Sequence, residues 1–223
     1  MHVNNKEDLL CIALPSWKGN YAKSTVQLMH GLSLHYRILY VDYAYTIKDV
    51  LMCLLGKQQL PLKSVLFGGA ALREERSKSG EKIYVLSLPP LLPVNWIRRR
   101  SFFWRMSLWN AKWAKKRIRQ AMKRLNMHQP VVVNAFQPFL GAHLAGAFDE
   151  KKLIYYCYDH ISEALWLGRH GKYMEEQLMR KADQVVTSSP ALEEIKRPYC
   201  RQITTVTNGV DFPVFAKYQG KLR

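Results

Sequence analysis

The chain of 223 residues lacks both an apolar run long enough to cross a bilayer and any closely paired cysteines. The longest uncharged stretch, Val131–Phe148, is interrupted by asparagine, glutamine, proline and histidine, which argues against a membrane span. The first residues lack the basic start and apolar run of a signal peptide. The four widely spaced cysteines are Cys11, Cys53, Cys157 and Cys200. We therefore expect a cytosolic protein with reduced thiols and no disulfide framework.

Acidic residues are also scarce. The chain has 34 Lys and Arg against 17 Asp and Glu, a formal charge of +17, and no acid occurs from Lys82 to Phe148. Such an excess of positive charge indicates an anionic partner: nucleic acid, acidic lipid or a phosphorylated substrate. His128, His143 and His170 show no metal-ligand spacing with one another or with cysteine, so we predict no metal site.

Short apolar, β-branched runs alternate with helical patterns along the chain, which is typical of a parallel sheet covered by helices. The first unit comprises a strand at Asp8–Pro15, a helix over Ser24–His35 and a strand at Arg37–Tyr43. Further strands are predicted at Lys82–Leu88, Pro130–Asn134, Lys152–Tyr158, Gln184–Thr187 and Ile203–Val206. Pro61–Gly80 is predicted to be irregular, ending in a solvated hairpin or loop. The sequence therefore predicts an α/β fold, a Rossmann-like three-layer domain with a mostly parallel sheet.

The segment Asn95–Asn126 combines aromatic residues with eleven Lys or Arg and no acid. Its second part, from Phe103 to Leu125, has apolar residues at helical spacing. A basic helix with Trp and Phe at its apolar boundary is typical of a segment lying on an anionic membrane. The residues predicted to contact the membrane are Trp96, Arg98, Arg99, Arg100, Trp104 and Arg105. A long domain helix with a solvated basic face is the alternative. Nucleic-acid binding is disfavoured because no known motif accompanies the charge.

Polar and aromatic residues follow two predicted strands where a parallel sheet binds ligands, beyond its carboxyl edge. Asn134 and Phe136 follow one strand, and Asp159 and His160 follow another. Histidine carries protons near neutral pH, so Asp159 and His160 are the predicted catalytic pair, contacting a sugar or an acceptor hydroxyl. Asp159 as a cap on the following helix is the alternative.

The end of the chain carries an ordered set of motifs. Ser189 is predicted to cap a helix that Pro190 begins, and Asn208–Gly209 is predicted to turn the chain. The run A-D-x-V-V-T-S-S-x-x-L…I-T-x-V-x-N-G-V-D-x-x-x-F, from Ala182 to Phe215, resembles the end of the N-terminal domain of GT-B glycosyltransferases of the group 1, family 4 type. The segment LIYYCYDHISEALW resembles the same family, with His160 in place of a frequent second acid. Within this family the chain resembles bacterial transferases for cell-surface polysaccharides, of the teichuronic acid type.

This resemblance implies that residues 1–212 form the acceptor-side half of a GT-B fold. Residues 213–223 would begin a linker to a missing C-terminal donor domain of about 150 residues, supplied in cis or in trans. That domain would bind most of a UDP- or GDP-linked sugar, and no cofactor would be bound by this half. The acceptor would be a glycan or a lipid-linked glycan in cell-surface glycan synthesis, at the inner face of the membrane. The chain alone is expected to be inactive or nearly so.

The resemblance also places the loop after the first strand beside the donor's phosphates or sugar. Gly19 is the only glycine there, and with Lys18 or Lys23 it is a predicted substrate contact. The family's frequent Gly-Gly pair is absent, so a plain turn glycine with solvated lysines is the alternative. The fingerprint G-x-G-x-x-G is absent too, which disfavours NAD.

Two other functions compete with an enzyme half. One is a non-catalytic Rossmann-like module that binds anionic membrane through residues 95–126. The other, a sugar-nucleotide epimerase, is disfavoured because the resemblance to surface-polysaccharide transferases extends into ordinary helix and strand segments.

Overall fold

The computed structural model describes residues 6–18, 23–66, 72–161 and 169–209. The strands are β1 (Glu7–Ala13), β2 (Tyr36–Val41), β3 (Leu72–Arg76), β4 (Lys82–Leu86), β5 (Val131–Ala135), β6 (Lys152–Cys157), β7 (Gln184–Thr187) and β8 (Ile203–Thr205). They form an eight-stranded sheet of order β3-β4-β2-β1-β5-β6-β7-β8. Every pairing is parallel except that of β3 with β4. The predicted α/β, Rossmann-like class with a mostly parallel sheet is confirmed.

Helices connect the parallel strands and cover the sheet. They are α1 (Ser24–Leu32), α2 (Ile47–Leu54), α3 (Leu62–Leu66), α4 (Arg100–Arg124), α5 (Pro138–Leu144), α6 (Gly171–Lys181) and α7 (Pro190–Lys196), followed by a 3₁₀ turn at Arg197–Tyr199. Met29 of α1 packs on one face of the sheet, in a core with Leu9 and Ile38. The helices α4 to α6 pack on the other face, around Leu10 and Leu39. Alternate residues of β1 and β2 therefore enter two separate cores, which explains the continuous apolar runs Leu9–Ala13 and Ile38–Val41.

The region predicted as irregular, Pro61–Gly80, contains regular structure that the sequence pattern did not indicate. Its residues include α3 and the edge strand β3, so the loop prediction was wrong there. Four of the five residues of β3 are charged, which hides the alternation expected of a strand. The strand β3 is instead stabilised by β4, to which it is hydrogen-bonded along its length. The predicted hairpin follows, with Gly80 in the left-handed region at its turn.

The strand–helix–strand part of the C-terminal unit folds as its sequence predicts, but neither Asn208 nor Gly209 has the positive φ expected of the predicted turn. The Ser189 hydroxyl accepts a hydrogen bond from the backbone N–H of Leu192, and Pro190 occupies the first turn of α7.

Cys11 and Cys157 are buried, and all four cysteines are free. Burial raises the pKa of the Cys157 thiol to about 12, with a smaller contribution from Glu175. This thiol is therefore protonated and inert at neutral pH.

An apolar groove of about 800 Å³ lies on the face of the sheet that α1 only partly covers. Side chains of β5, β6 and β7 line it, including Val133, Ile154 and Val186. It is a face of the sheet rather than its carboxyl edge, where parallel sheets bind their ligands.

Candidate functional site

A cavity of about 270 Å³ opens at the carboxyl edge of the sheet, beside the point where the strand order reverses. Strands β1 and β5 are neighbours there although they are far apart in the chain, so the loops that follow them diverge and leave a crevice. The segment after β2, residues 91–96, α4 and the start of α5 complete the walls. The polar residues of the edge cavity are Thr46, Lys48, Asp49, Asn95, Ser107, Asn110 and Gln137.

Gln137 is the most informative residue of this edge cavity. Its side chain is 5% exposed, and its Oε1 has no hydrogen-bond partner within the described residues. A buried amide oxygen without a partner costs about 1–3 kcal/mol, so such groups are rare. Other polar groups of the cavity are engaged: the Asn110 amide bonds both backbone groups of Leu92, and Asp49 caps α2. Gln137 thus lines the edge cavity and carries a buried oxygen with an unused capacity to accept a hydrogen bond.

The turn that carries Gln137 is held by Asn134. The Asn134 side chain is fully buried, accepts from the Gln137 N–H at 2.9 Å and donates to the Gln137 carbonyl at 3.0 Å. Between them, Phe136 adopts a φ of 56°, an uncommon conformation for a bulky residue. Such strain persists where the surroundings fix it, and it clusters at functional sites. Phe136 is buried against the Tyr158 ring, 4.8 Å between centroids. Asn134 and Phe136 thus shape this edge, and a direct substrate contact for either stays a prediction.

The loop after β1 is fixed by a buried ion pair that the sequence analysis missed. Asp42 follows β2 and accepts hydrogen bonds from the backbone N–H of Trp17 at 2.7 Å and of Tyr43 at 2.9 Å. Its other oxygen pairs with Arg73 of β3 at 2.7 Å. The Trp17 ring packs on Tyr40, with 5.0 Å between centroids. Nothing in the sequence around Asp42 points to Arg73, since the two residues are far apart in the chain and the strand β3 was not predicted.

The predicted substrate contacts of this loop are only partly described. Lys18 is exposed, and its ammonium lies 3.3 Å from Glu75 of the edge strand. The Lys23 ammonium donates hydrogen bonds to the carbonyl oxygens of Ser16 and Lys18, and these bonds stabilise the loop. Gly19 lies outside the described residues. The roles of Lys18 and Gly19 stay predictions.

The predicted catalytic pair stands at the end of β6. Asp159 is exposed, and its carboxylate accepts the backbone N–H of His160 at 2.7 Å. His160 lines a different small cavity, together with residues of α6 and α7 that include Glu175 and Lys196. Asp159 thus lies just beyond the end of β6 but does not line the edge cavity, and His160 lines the other cavity. The helix that Asp159 was alternatively expected to cap would begin outside the described residues.

The residues predicted to contact the membrane lie in three different settings: inside the fold, on the exposed surface and in a basic pocket. Trp104 packs inward against His143, at 4.3 Å between centroids, and against Tyr173 at 5.9 Å. Arg105 and Arg99 are exposed, and Trp96 is 71% exposed at the mouth of the edge cavity. Arg98 and Arg100 line a separate basic pocket beside α6. The exposed aromatic residues of α4 are Phe102, Trp109 and Trp113, which belong to the predicted basic aromatic segment but were not among the residues predicted to contact the membrane.

His143 lies beneath α4 and is neutral at physiological pH. It shares a hydrogen bond with the Ser107 hydroxyl at 2.9 Å. Burial, and secondarily the positive charge of Lys181, lower the pKa of His143 to about 4. An unfolded histidine has a pKa of about 6.5, so between these values the unfolded chain binds a proton that the folded chain does not. Stability contributed by this site is therefore present above the unfolded pKa and is lost as pH falls toward 4.

We expect His143→Gln to reduce the acid sensitivity of the fold. Glutamine can keep a hydrogen bond to Ser107 but does not titrate. Thermal unfolding between about pH 7 and about pH 5 should therefore show a smaller fall in Tm for the variant than for the natural chain. Equal falls in the two proteins would mean that His143 does not govern this pH dependence.

Within the described ranges, no group of three or more His, Cys, Asp or Glu side chains is placed to hold a metal ion. No helix in the same part of the chain is both long and apolar enough to span a bilayer.

Comparison with known proteins completes the description of the site. The family model described as Glycosyltransferase Family 4 matches residues 70–212. This range contains the Gln137 turn, Asp159 and the C-terminal strand–helix–strand unit. No curated protein sequence matches the chain significantly.

Solved structures share the fold at low sequence identity. Sucrose-phosphate synthase from Thermosynechococcus elongatus superposes with a TM-score of 0.54 at 14% identity, over 97% of each chain. The trehalose-6-phosphate protein from E. coli, solved with UDP-2-fluoro glucose, gives 0.53 at 8% identity. That alignment covers 96% of this chain and 51% of the E. coli chain, so this chain spans about half of it.

Proposed function

Because the chain belongs to glycosyltransferase family 4, we propose that it is the acceptor-side domain of an enzyme that transfers a sugar from a nucleotide-sugar donor to a polysaccharide or lipid-linked acceptor. The observation that carries the proposal is the edge cavity with its buried, unpartnered Gln137 oxygen. A sugar or other polyol supplies the O–H donor that this oxygen lacks. The aromatic and apolar part of the lining, with Tyr43 and Trp96, suits the carbon face of a sugar ring.

The proposed chemistry needs a partner domain. This half holds the acceptor, and a donor domain in cis or in trans brings a UDP- or GDP-linked sugar to the carboxyl edge of the sheet. Asp159 is exposed at that edge and is the proposed group to orient or deprotonate the acceptor hydroxyl, with His160 beside it. Alone, the chain is expected to transfer no sugar at an enzymatic rate.

Replacement of Gln137 tests the acceptor site. We expect Gln137→Met to weaken binding of acceptor oligosaccharides by about tenfold or more, the equivalent of one hydrogen bond in a buried site. Because methionine removes an oxygen without a partner, the variant should be as stable as the natural chain or more stable. Saturation-transfer NMR with a panel of surface-polysaccharide fragments measures the first effect, and thermal unfolding measures the second.

Gln120→Met is the matched control, because Gln120 is exposed on α4, away from the edge cavity. It should leave oligosaccharide binding unchanged. If the Gln137 and Gln120 variants bind fragments equally well, the edge cavity is not the acceptor site.

A membrane-facing surface is favoured by a separate observation. Phe102, Trp109 and Trp113 lie on one stripe of α4 and are each between 46% and 48% exposed. Exposed basic residues flank the stripe: Arg105, Lys112, Lys116, Arg117, Lys123 and Arg124. Aromatic rings between cations match the interface of an anionic bilayer. We propose that this aromatic stripe docks the domain on such a membrane, in the cytoplasm.

The double variant Trp109→Ser, Trp113→Ser should lose membrane affinity. We expect partitioning onto vesicles of phosphatidylcholine and phosphatidylglycerol to fall about tenfold or more, since two half-exposed rings no longer insert. Co-sedimentation measures the effect. The control is Trp17→Phe, a ring packed inside the fold. Unchanged binding by the double variant would leave the basic residues alone responsible, contrary to the proposal.

A further inference from the structure

A second cavity, of about 510 Å³, lies between the segment preceding α4 and the first turn of α6. We refer to it as the basic pocket. Its lining residues are Arg98, Arg100, Arg169, His170, Lys172, Tyr173 and Glu176. Four of these seven side chains are permanent cations at neutral pH, and one is a carboxylate.

The four cations of the basic pocket outnumber its single carboxylate, that of Glu176. Within the described residues, none of the four pairs with a carboxylate, although Lys18, Arg37 and Arg73 elsewhere in the chain each do. Like charges that converge on one cavity repel one another, and the repulsion is relieved when an anion binds between them.

The walls of the basic pocket are fixed to each other. His170 is buried and its Nε2–H donates to the Ile97 carbonyl at 2.9 Å, which ties the segment before α4 to the start of α6. The His170 ring also stacks on Phe103, with 4.1 Å between centroids. The Arg100 guanidinium lies 5.1 Å from the centre of the Tyr173 ring, which orients it. Little ordering of the backbone is therefore needed when a ligand binds.

We propose that the basic pocket binds a phosphate or diphosphate group carried by the acceptor. Arginine guanidinium groups match phosphate oxygens through paired N–H donors, and Lys172 adds a point charge. The basic pocket also adjoins the edge cavity along the chain, since Trp96 lines one and Arg98 the other. In this proposal the acceptor's sugar enters the edge cavity and its phosphate lies among these cations. That assignment to the acceptor rests on the proposed function, whereas the binding of the anion does not.

Titration of the full chain with inorganic pyrophosphate tests the site directly. The double variant Arg98→Gln, Lys172→Gln removes two cations of the basic pocket. The control, Lys57→Gln with Lys63→Gln, removes the same charge from the exposed surface beside α2 and α3. We expect the pocket variant to bind pyrophosphate at least about tenfold more weakly, and the control to bind within about twofold of the natural chain. Isothermal calorimetry at physiological salt measures both, with thermal unfolding to confirm that the variants are folded.

Two outcomes would overturn the proposal: no pyrophosphate binding by the natural chain, or equal losses in the pocket variant and the control.

A second experiment, which measures binding of the chain to vesicles, then distinguishes the source of the phosphate. If pyrophosphate displaces the chain from phosphatidate vesicles, the basic pocket also accepts membrane headgroups. If vesicle binding survives both pyrophosphate and the pocket variant, the basic pocket serves a substrate phosphate. Neither readout needs sugar transfer, so failure of the proposed enzyme activity would leave this result intact.

Discussion

Replacing Glu175 with glutamine is expected to lower the free energy of unfolding by about 3–5 kcal/mol, because it leaves the ammonium of Lys196 buried without a counter-charge. Whole domains of this kind are stable by only about 5–15 kcal/mol. A substitution that adds no bulk and breaks no backbone hydrogen bond would thus remove a large share of the stability.

The expected loss follows from the surroundings of the pair. The side chains of Glu175 and Lys196 are 2% and 4% exposed, and their charged atoms are 2.6 Å apart. The second oxygen of Glu175 accepts from the Tyr155 hydroxyl at 2.9 Å, and the Cys157 thiol is also near it. Burial raises the pKa of Tyr155 well above its usual value, as does the carboxylate of Glu175. The pair therefore connects α6, α7 and β6 through groups that are almost fully buried.

Urea unfolding at neutral pH measures the effect, with Glu7→Gln as the matched control. Glu7 forms a surface ion pair with Lys151 at 2.9 Å, and both side chains are about half exposed. Such surface pairs contribute about 0–1 kcal/mol. A Glu175 variant that loses no more stability than the Glu7 variant would show that Lys196 reaches solvent or another anion.

Removing both charges should restore most of the stability. In the double variant Glu175→Gln, Lys196→Met, the glutamine oxygen still accepts from Tyr155, and methionine has nearly the shape of the lysine stem. Buried ion pairs replaced by matched neutral groups are often no less stable. A double variant as unstable as the single one would place the cost in packing rather than in charge.

Much of the fold could be predicted because it depends on local patterns. The central strands are continuous apolar runs, and Ser189–Pro190 is a helix start whose geometry is local. The strand β3 could not be predicted in this way, since its charged residues are stabilised by contacts such as that of Arg73 with Asp42. Those two residues are far apart in the sequence, and nothing in either segment points to the other.

The candidate site was less predictable than the fold. Its general position follows from the rule that parallel sheets bind ligands at the carboxyl edge. Gln137 carries no local signal, because what sets it apart is a missing partner in three dimensions. Other residues did have a readable signal. Trp104 lies seven residues before buried Ala111, so helical spacing places it on the inner face of α4, and Lys196 lies four residues after buried Leu192.

The second large effect on stability is expected for a substitution at Gly141, which lies in α5, the helix that follows Gln137. A Cβ added at Gly141 would overlap the Asn134 amide and would lie 2.9 Å from Leu178 of α6. Asn134 cannot easily move aside, because both ends of its amide bond the backbone of Gln137. We therefore expect Gly141→Ala to cost about 1–3 kcal/mol, through overpacking in a close helix contact.

The sign of this effect separates it from helix propensity, which favours alanine over glycine within a helix by about 0.5–1 kcal/mol. Gly31 of α1 is the matched control, since a Cβ added there meets no atom within 4 Å. Urea unfolding should show Gly31→Ala as neutral or stabilising and Gly141→Ala as destabilising. Because the displaced amide also positions Gln137, the Gly141 variant should bind acceptor oligosaccharides more weakly even where it is fully folded. A Gly141 variant that matches the natural chain in both stability and binding would contradict the close packing that joins this helix to the edge cavity.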